Sequence, residues 1–327
     1  MRTIPTILCF MFWTTVVGPA WAERYAIVVG VNECPKFRLP DGAKPRPLRG
    51  AENDADEIAY TLARQFKFDR QHIHVLKGPE ATYQELKSKF QRVAEQTRPD
   101  DVFVFHFSGH GTQYPDRRPF DETDRLDEAL CMFDATAHGE NLLLDDQLGL
   151  WLDDIQARQI TVILDCCHSG TGIKDPDDAV VPRYLPIKLP GPRPSASNEP
   201  WRELRSGTKS FGRRLTAFFA CRSDQQAYER RLLDFRPPKR IGQFSHYLLE
   251  ALKNSQADVD HDGSISNQEA YDYAAIRLDE TFNRTRSEPA RQTPVIETET
   301  ANSPLFGVRR TDAGDHSSKG STGKLVP

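Results

Sequence analysis

The chain has 327 residues, of which 38% are hydrophobic and 28% charged. That length suits one large α/β domain or two small ones, and the element pattern favours one. A net charge of -4, with no basic arm or face long enough for phosphate contacts, excludes nucleic acid as a partner.

Arg2, the apolar run Ile7 to Val17 and the small-residue pattern Ala20-Trp21-Ala22 make residues 1–22 a secretory signal cleaved before Glu23. An uncleaved anchor is the second reading, but the apolar part is shorter than the roughly 20 residues a membrane span needs. No later segment is apolar enough to cross a bilayer. The expectation is an exported, periplasmic or extracellular protein with no membrane attachment once the signal is gone. Five cysteines then remain, Cys34, Cys131, Cys166, Cys167 and Cys221, and an odd count leaves at least one thiol free.

Arg24 to Val31 is the first strand, followed by a proline-rich loop. Asn53 to Phe66 has helical spacing, with Ile58, Leu62 and Phe66 on one stripe and an acidic first turn of Asp54, Asp56 and Glu57. His72 to Lys77 is a second strand and Tyr83 to Gln96 a second helix. Asp101 to Phe107 is an almost continuously apolar strand that ends in Ser108-Gly109-His110-Gly111-Thr112. A histidine between two glycines is poorly suited to packing and well suited to standing free beside exposed backbone N–H groups. An acidic loop from Asp116 to Asp134 contains a short strand, Ala129 to Phe133. Asp145 and Asp146 then open an amphipathic helix through Gln156.

The next strand carries the second half of the chemistry. Val162, Ile163 and Leu164 form the apolar run of a parallel strand buried on both faces, and Asp165-Cys166-Cys167-His168-Ser169-Gly170 follows at once. This places a thiol on a turn at the carboxyl end of a strand, where open α/β sheets put their ligands. With the two strands side by side, His110 faces Cys167 and activates it. A zinc site from His106, His110, Cys166, Cys167 and His168 is the rival arrangement. Alternate strand residues point to opposite faces and no zinc spacing fits, which argues against it.

From Lys174 to Gly212 the periodicity disappears, and proline with many basic residues predicts a long exposed linker. Leu215 to Ala220 is again a buried strand, Gln243 to Lys253 a helix, and Pro304 to Val308 the last strand. Residues 311–327 form a polar tail expected to be disordered. The alternation of strands and helices predicts a mostly parallel sheet flanked by helices. Between two predicted helices, residues 258–269 fit an EF-hand calcium loop: Asp258, Asp260, Asp262 and Glu269 at loop positions 1, 3, 5 and 12, with Gly263 at 6. Ser264 would add its carbonyl, and weak calcium affinity is expected.

The two strand-end motifs together resemble the His and Cys motifs of the metacaspase-like branch of the caspase superfamily of cysteine peptidases, in order and over about residues 24–309. The resemblance implies a caspase-like three-layer α/β fold, with a large-subunit-like part (23–173), a linker (174–212) and a small-subunit-like part (213–310). It implies Cys167 as nucleophile, His110 as acid and base, and the N–H groups of Gly111 and Cys167 as oxyanion hole. Cys166 falls where the family has a small residue and is assigned to packing. Leu48 to Asp54 is similar to the segment that begins the first helix, with Ala51 where a cysteine is usual. Asp54 there either caps the helix or lines the substrate pocket. With Asp165 and Ser108 it implies an acidic pocket that selects Arg or Lys before the cut and rejects Asp. Asp145 and Asp146 fit the family's activating calcium, with a solvated acidic loop as the alternative.

The implied function is a calcium-responsive cysteine endopeptidase acting on proteins or peptides. The alternative is a caspase-fold scaffold that binds calcium without turnover. Basic residues in the linker invite self-cleavage, with Lys188 and Arg205 the preferred sites and Arg183, next to Tyr184, closest to the catalytic turn.

Overall fold

The computed structural model describes residues 22–115, 126–167, 180–188, 214–233, 237–288 and 290–309. In chain order the elements are β1 (Arg24–Gly30), α1 (Ala51–Gln65), β2 (Ile73–Lys77), α2 (Tyr83–Gln96), β3 (Val102–Ser108), β4 (Gly111–Pro115), β5 (Leu126–Cys131), β6 (Leu142–Leu144), α3 (Asp145–Asp154) and β7 (Gln159–Asp165). There follow β8 (Val180–Pro182), β9 (Arg214–Phe219), β10 (Tyr228–Leu232), β11 (Lys239–Gly242), α4 (Gln243–Lys253), β12 (Ser264–Ser266), α5 (Asn267–Glu280), β13 (Val295–Thr298) and β14 (Pro304–Arg309).

Six strands form the central sheet in the order β13-β9-β7-β3-β1-β2. All pairs are parallel except the edge pair β13 with β9. The inner strands are apolar because both faces are covered. On one face Phe103, Phe105 and Phe107 of β3 and Val162 and Leu164 of β7 pack with Leu86, Phe90 and Val93 of α2 and with Trp151 of α3. On the other, Val104 and Ile163 pack with Ile58 and Leu62 of α1, Phe244 and Leu248 of α4, and Ala274 of α5. These are the three layers of an α/β sandwich.

The period-2 alternation of strands sorts the chemistry as well as the core. Cys166 lies in the α2/α3 core and Cys167 in the α1/α4 core, so adjacent cysteines have different surroundings. Ser108 and Asp165 are register partners at the ends of β3 and β7. All five cysteines in the described residues are buried, and none is in a disulfide. No described helix is long and apolar enough to cross a membrane; residues 1–21 and 310–327, which include the signal and tail assignments, lie outside the described residues.

Several boundaries move. The first helix begins at Ala51, two residues before the expected start. The strand expected at Ala129 to Phe133 runs instead over Leu126–Cys131, where it pairs with both β4 and β6. The larger correction concerns the linker. Residues 180–188 are not an exposed connection: Val180, Val181, Arg183, Leu185 and Ile187 are all 5% exposed or less. Val180–Pro182 pairs antiparallel with β10, in a small sheet of order β11-β10-β8. From 181 on, alternate residues are buried, but the prolines and an arginine at an inward position hide the pattern in the sequence.

Candidate active site

The site forms where β3 and β7 end side by side. The Gly111 N–H donates to the backbone carbonyl of Arg183 at 2.9 Å, and the Cys167 N–H donates to the same oxygen at 3.4 Å. Two N–H groups aimed at one carbonyl oxygen are able to stabilise negative charge developing there. The Arg183 N–H donates to the Ala227 carbonyl at 2.9 Å, and the Cys167 thiol lies 3.9 Å from that same Ala227 oxygen. The thiol, the Arg183 carbonyl and the backbone after β9 therefore meet at one point.

Burial governs both reactive side chains. Cys167 is 1% and His110 3% exposed. Burial pushes the Cys167 thiol up to about 12, with the Ala227 and Arg183 backbone pulling the other way. It pushes the His110 imidazole down to about 3, the Arg46 backbone opposing and the Arg183 charge adding to the shift. Both groups are neutral in this state. Cys166, on the far face, is raised too by burial.

Below the carbonyl, the Arg183 guanidinium is 0% exposed. Its Nη2 lies 2.6 Å from Asp54 Oδ2 and 3.7 Å from Glu229 Oε2, and its Nη1 lies 3.0 Å from Asp165 Oδ1. The Nη1 group also donates to Ser108 Oγ at 2.7 Å and to the Asp165 carbonyl at 2.9 Å. Three carboxylates around one cation would repel one another without further donors. Each has them. Asp54 accepts from the Gly242 N–H and the Ser108 hydroxyl, Asp165 from the Ser245 N–H and hydroxyl, and Glu229 from the Arg49 and Gly50 N–H groups. Burial raises the Asp54 pKa against the pull of Arg183; for Arg183 burial acts downward, and the surrounding carboxylates outweigh it and raise its pKa.

Asp54 is therefore no helix cap. Gly50 holds the cap position with no side-chain bond, and the Asp54 carboxylate points across to Gly242 and Arg183. Gly242 is required to be small, since a Cβ there would come within 2.2 Å of Asp165 Oδ2 and 2.7 Å of Arg183 Nη1. Asp54, Asp165 and Ser108 converge. Sequence reasoning missed Glu229, Gly242, Ser245 and the resident Arg183. Glu229 sits in the charged run Tyr228–Leu232, where one acid carries no signal of its own.

The acidic residues proposed for calcium divide. Asp258, Asp260 and Asp262 bring carboxylate oxygens within 4.8 Å of one another. Gly263 has φ +82 and His261 φ +58, the tight turn that such a loop needs. Asp258 Oδ1 is buried with no hydrogen-bond partner. Ile265 packs inward at 4% exposure, and Ser264 is buried, its N–H and hydroxyl both donating to Asp262 Oδ1. The Glu269 carboxylate forms a capping box with Ser266 and accepts from the Val259 N–H. These oxygen donors fit a hard cation such as calcium. Asp145 and Asp146 lie at the start of α3 and are not drawn into a group of three ligating residues among the described residues. His106 is buried in β3 on the α1/α4 face and makes no such group either.

Comparison with known proteins agrees with this geometry. The family description Caspase domain matches residues 23–306. Metacaspase-3 of Arabidopsis thaliana is 31% identical over 159 residues, covering 46% of this chain and 41% of that protein. Metacaspase-1 of Pyricularia oryzae is 30% identical over 162 residues, covering 47% and 38%. Metacaspase-1B of Aspergillus clavatus is 25% identical over 245 residues, covering 72% and 53%. The chain thus spans about half or less of the length of these relatives. A crystal structure of a protein from Geobacter sulfurreducens shares the fold, with TM-score 0.57 and 21% identity over 88% of this chain and 99% of that one.

Proposed function

The chain belongs to the Caspase domain family of peptidases, and from that premise we propose that it is a cysteine endopeptidase that cuts after arginine or lysine. Cys167 is the nucleophile, His110 the acid and base, and the Gly111 and Cys167 N–H groups the oxyanion hole. The observation that carries this reading is a single residue that measures the cleft. Arg183 has its carbonyl oxygen on those two N–H groups and its guanidinium among Asp54, Asp165 and Glu229.

The chemistry follows from the neutral pair. As the thiol sulfur attacks a peptide carbonyl carbon, its proton passes to His110, and the carbonyl oxygen gathers charge against the two N–H donors. His110 then gives the proton to the leaving amine, and water releases the acyl group from sulfur. The acidic cluster selects the residue before the cut. An arginine fills it with paired charge, whereas an aspartate would add a fourth buried carboxylate, at a cost of several kcal/mol.

Calcium binding at Asp258, Asp260, Asp262 and Glu269 belongs to the same proposal, supported by the three clustered carboxylates and the unpartnered Asp258 oxygen. Export is proposed on the N-terminal sequence alone. Hydrolysis of short Arg, Lys and Asp fluorogenic peptides, with and without calcium, tests the reading. Cleavage of the basic peptides only, lost in Cys167→Ala, is expected; preference for the Asp peptide would overturn the specificity, and no cleavage of any peptide would overturn the activity.

A further inference from the structure

We propose that Cys34 and Cys131 become joined by a disulfide when the chain folds under oxidising conditions, and that this bond fastens the proline-rich loop after β1 to strand β5. The proposal stands apart from the peptidase reading. From the proposed export it takes only the oxidising surroundings.

Of the five buried cysteines, the catalytic reading uses one. Cys34 and Cys131 lie on the same side of the central sheet, in the α2/α3 core, at 3% and 0% exposure. The Cys34 sulfur is 3.8 Å from the carbonyl oxygen of Cys131, although the two residues are 97 apart in sequence. The fold has brought one thiol onto the backbone of the other cysteine. The electrostatics agree, because after burial itself the Cys34 thiol is the strongest influence raising that of Cys131, ahead of Cys166 and Cys167.

The remaining cysteines offer no equal pair. The Cys221 sulfur lies 3.9 Å from the Cys166 carbonyl, but Cys166 packs in the α2/α3 core and Cys221 in the α1/α4 core, on opposite faces of the sheet. Cys167 shares the second face with Cys221. A bond between those two would consume the proposed nucleophile.

The bond joins two segments that meet around His110. Cys34 begins the loop that returns at Leu48, whose N–H donates to the Asn32 carbonyl at 2.9 Å. Within that loop the Arg46 backbone acts on the His110 imidazole, and the Cys131 N–H donates to the His110 carbonyl at 3.0 Å. Among residues 35–47 only Phe37 is buried. A loop with so little burial opens at small cost, and a covalent tie at its first turn removes much of that freedom.

Formation is a two-step exchange with a disulfide oxidant such as oxidised glutathione. The Cys34 thiolate attacks one sulfur of the oxidant and releases the first glutathione; the Cys131 thiolate then attacks the mixed disulfide at the Cys34 sulfur and releases the second. The chain gives up two electrons and two protons, and the oxidant leaves as two thiols. Burial pushes the Cys34 thiol up to about 12, with Asp134 and Glu33 adding to the shift, so the folded reduced chain holds almost no thiolate at neutral pH. The bond is therefore made during folding, before the core closes.

The test follows the full chain as it is made. It is synthesised in a cell-free system, once in an oxidising glutathione couple and once with dithiothreitol; thiols are then alkylated in denaturant and the non-reduced digest is read by mass spectrometry. One linked peptide pair, Cys34 with Cys131, is expected in the oxidised sample, with Cys9, Cys166, Cys167 and Cys221 alkylated. In the reduced sample every cysteine should be alkylated. Reduced chain that has already folded, moved to the oxidising buffer, should gain the link about tenfold or more slowly than chain being made. The oxidised protein should melt about 5 °C or more above the reduced one, and Cys34→Ala, which cannot form the bond, should melt alike in both buffers. Alkylation of both Cys34 and Cys131 in the oxidised sample overturns the proposal, as does a link from either to any other cysteine. A Cys34–Cys131 link that leaves the melting temperature unchanged overturns the fastening of the loop, and equal rates overturn its formation during folding. Peptide hydrolysis is not read in this experiment, so its failure leaves the peptidase reading standing.

Discussion

Two acidic clusters in this molecule look alike in composition and differ in physics. Asp54, Asp165 and Glu229 are 0% exposed, and each is held by backbone N–H groups or hydroxyls around one guanidinium. Asp258, Asp260 and Asp262 lie in a surface loop, with Asp258 8% exposed and the other two open to solvent. The first cluster has walls from β3, β7, α1 and the start of α4, and it holds the guanidinium of Arg183. The second is an exposed group of carboxylate oxygens within 4.8 Å of one another, the donor type that hard cations take. Burial and fixed donors, more than the count of carboxylates, separate the two clusters.

With the buried cleft proposed as the working site and the loop as an accessory, damage should be graded accordingly. The largest effect is expected at the reacting groups. Cys167→Ala should lower cleavage of an Arg peptide by about 10⁴-fold or more, and His110→Ala by about 10²- to 10⁴-fold. Cys166→Ala, on the other face of the sheet, should keep most of the activity. A dead Cys166 variant beside an active Cys167 variant would reverse the assignment. Next comes the pocket: Asp165→Ala should cost about 2–5 kcal/mol of recognition, roughly 30-fold to several-thousand-fold on an Arg peptide. Unchanged kinetics there would break the comparison at its buried end.

A third expectation concerns stability against pH. Burial holds His106 and His110 down to about 3 in the folded chain, against about 6.5 when unfolded. The unfolded chain therefore binds more protons between those values. Their contribution is full above about pH 6.5 and is lost as pH falls toward 3. Asp54, whose pKa is raised, works in the opposite sense and offsets part of the slope. Denaturant midpoints measured from pH 4 to 7 should rise with pH, and His106→Leu should flatten the rise; an unchanged slope in that variant would show that His106 is not held neutral.

The smallest effect belongs to the loop. Millimolar calcium should stabilise the chain by about 1–2 kcal/mol, read as a rise of a few degrees in melting temperature. Asp258→Ala together with Glu269→Gln should abolish the rise. Calorimetry that finds no calcium-linked stabilisation would leave the loop as a plain Asx-rich turn.

The sheet was legible because its inner strands are apolar on both faces, as in Val102–Ser108 and Gln159–Asp165. The meeting of Ser108 with Asp165 follows from the same arithmetic, since both end their strands in register. Helices α2 and α4 were legible to the residue. What stayed hidden depends on long-range pairing. Arg183 lies inward at a position an alternating strand would give to an apolar residue, between prolines at 182 and 186, so the segment reads as linker. Glu229 is buried only because β8 and β11 cover its strand and the start of α1 donates to it. Neither covering is written locally in Tyr228–Leu232.

The central claim is that Cys167 is a nucleophile served by an arginine pocket, and covalent trapping tests it most directly. A peptide ending in arginine with a thiol-reactive carbonyl group is added to the chain, and the adducts are mapped by mass spectrometry beside the matching aspartate peptide. One adduct on Cys167 from the arginine reagent is predicted, with Cys34, Cys131, Cys166 and Cys221 untouched and the aspartate reagent inert. Labelling of another cysteine in place of Cys167, or equal labelling by both reagents, would contradict the account.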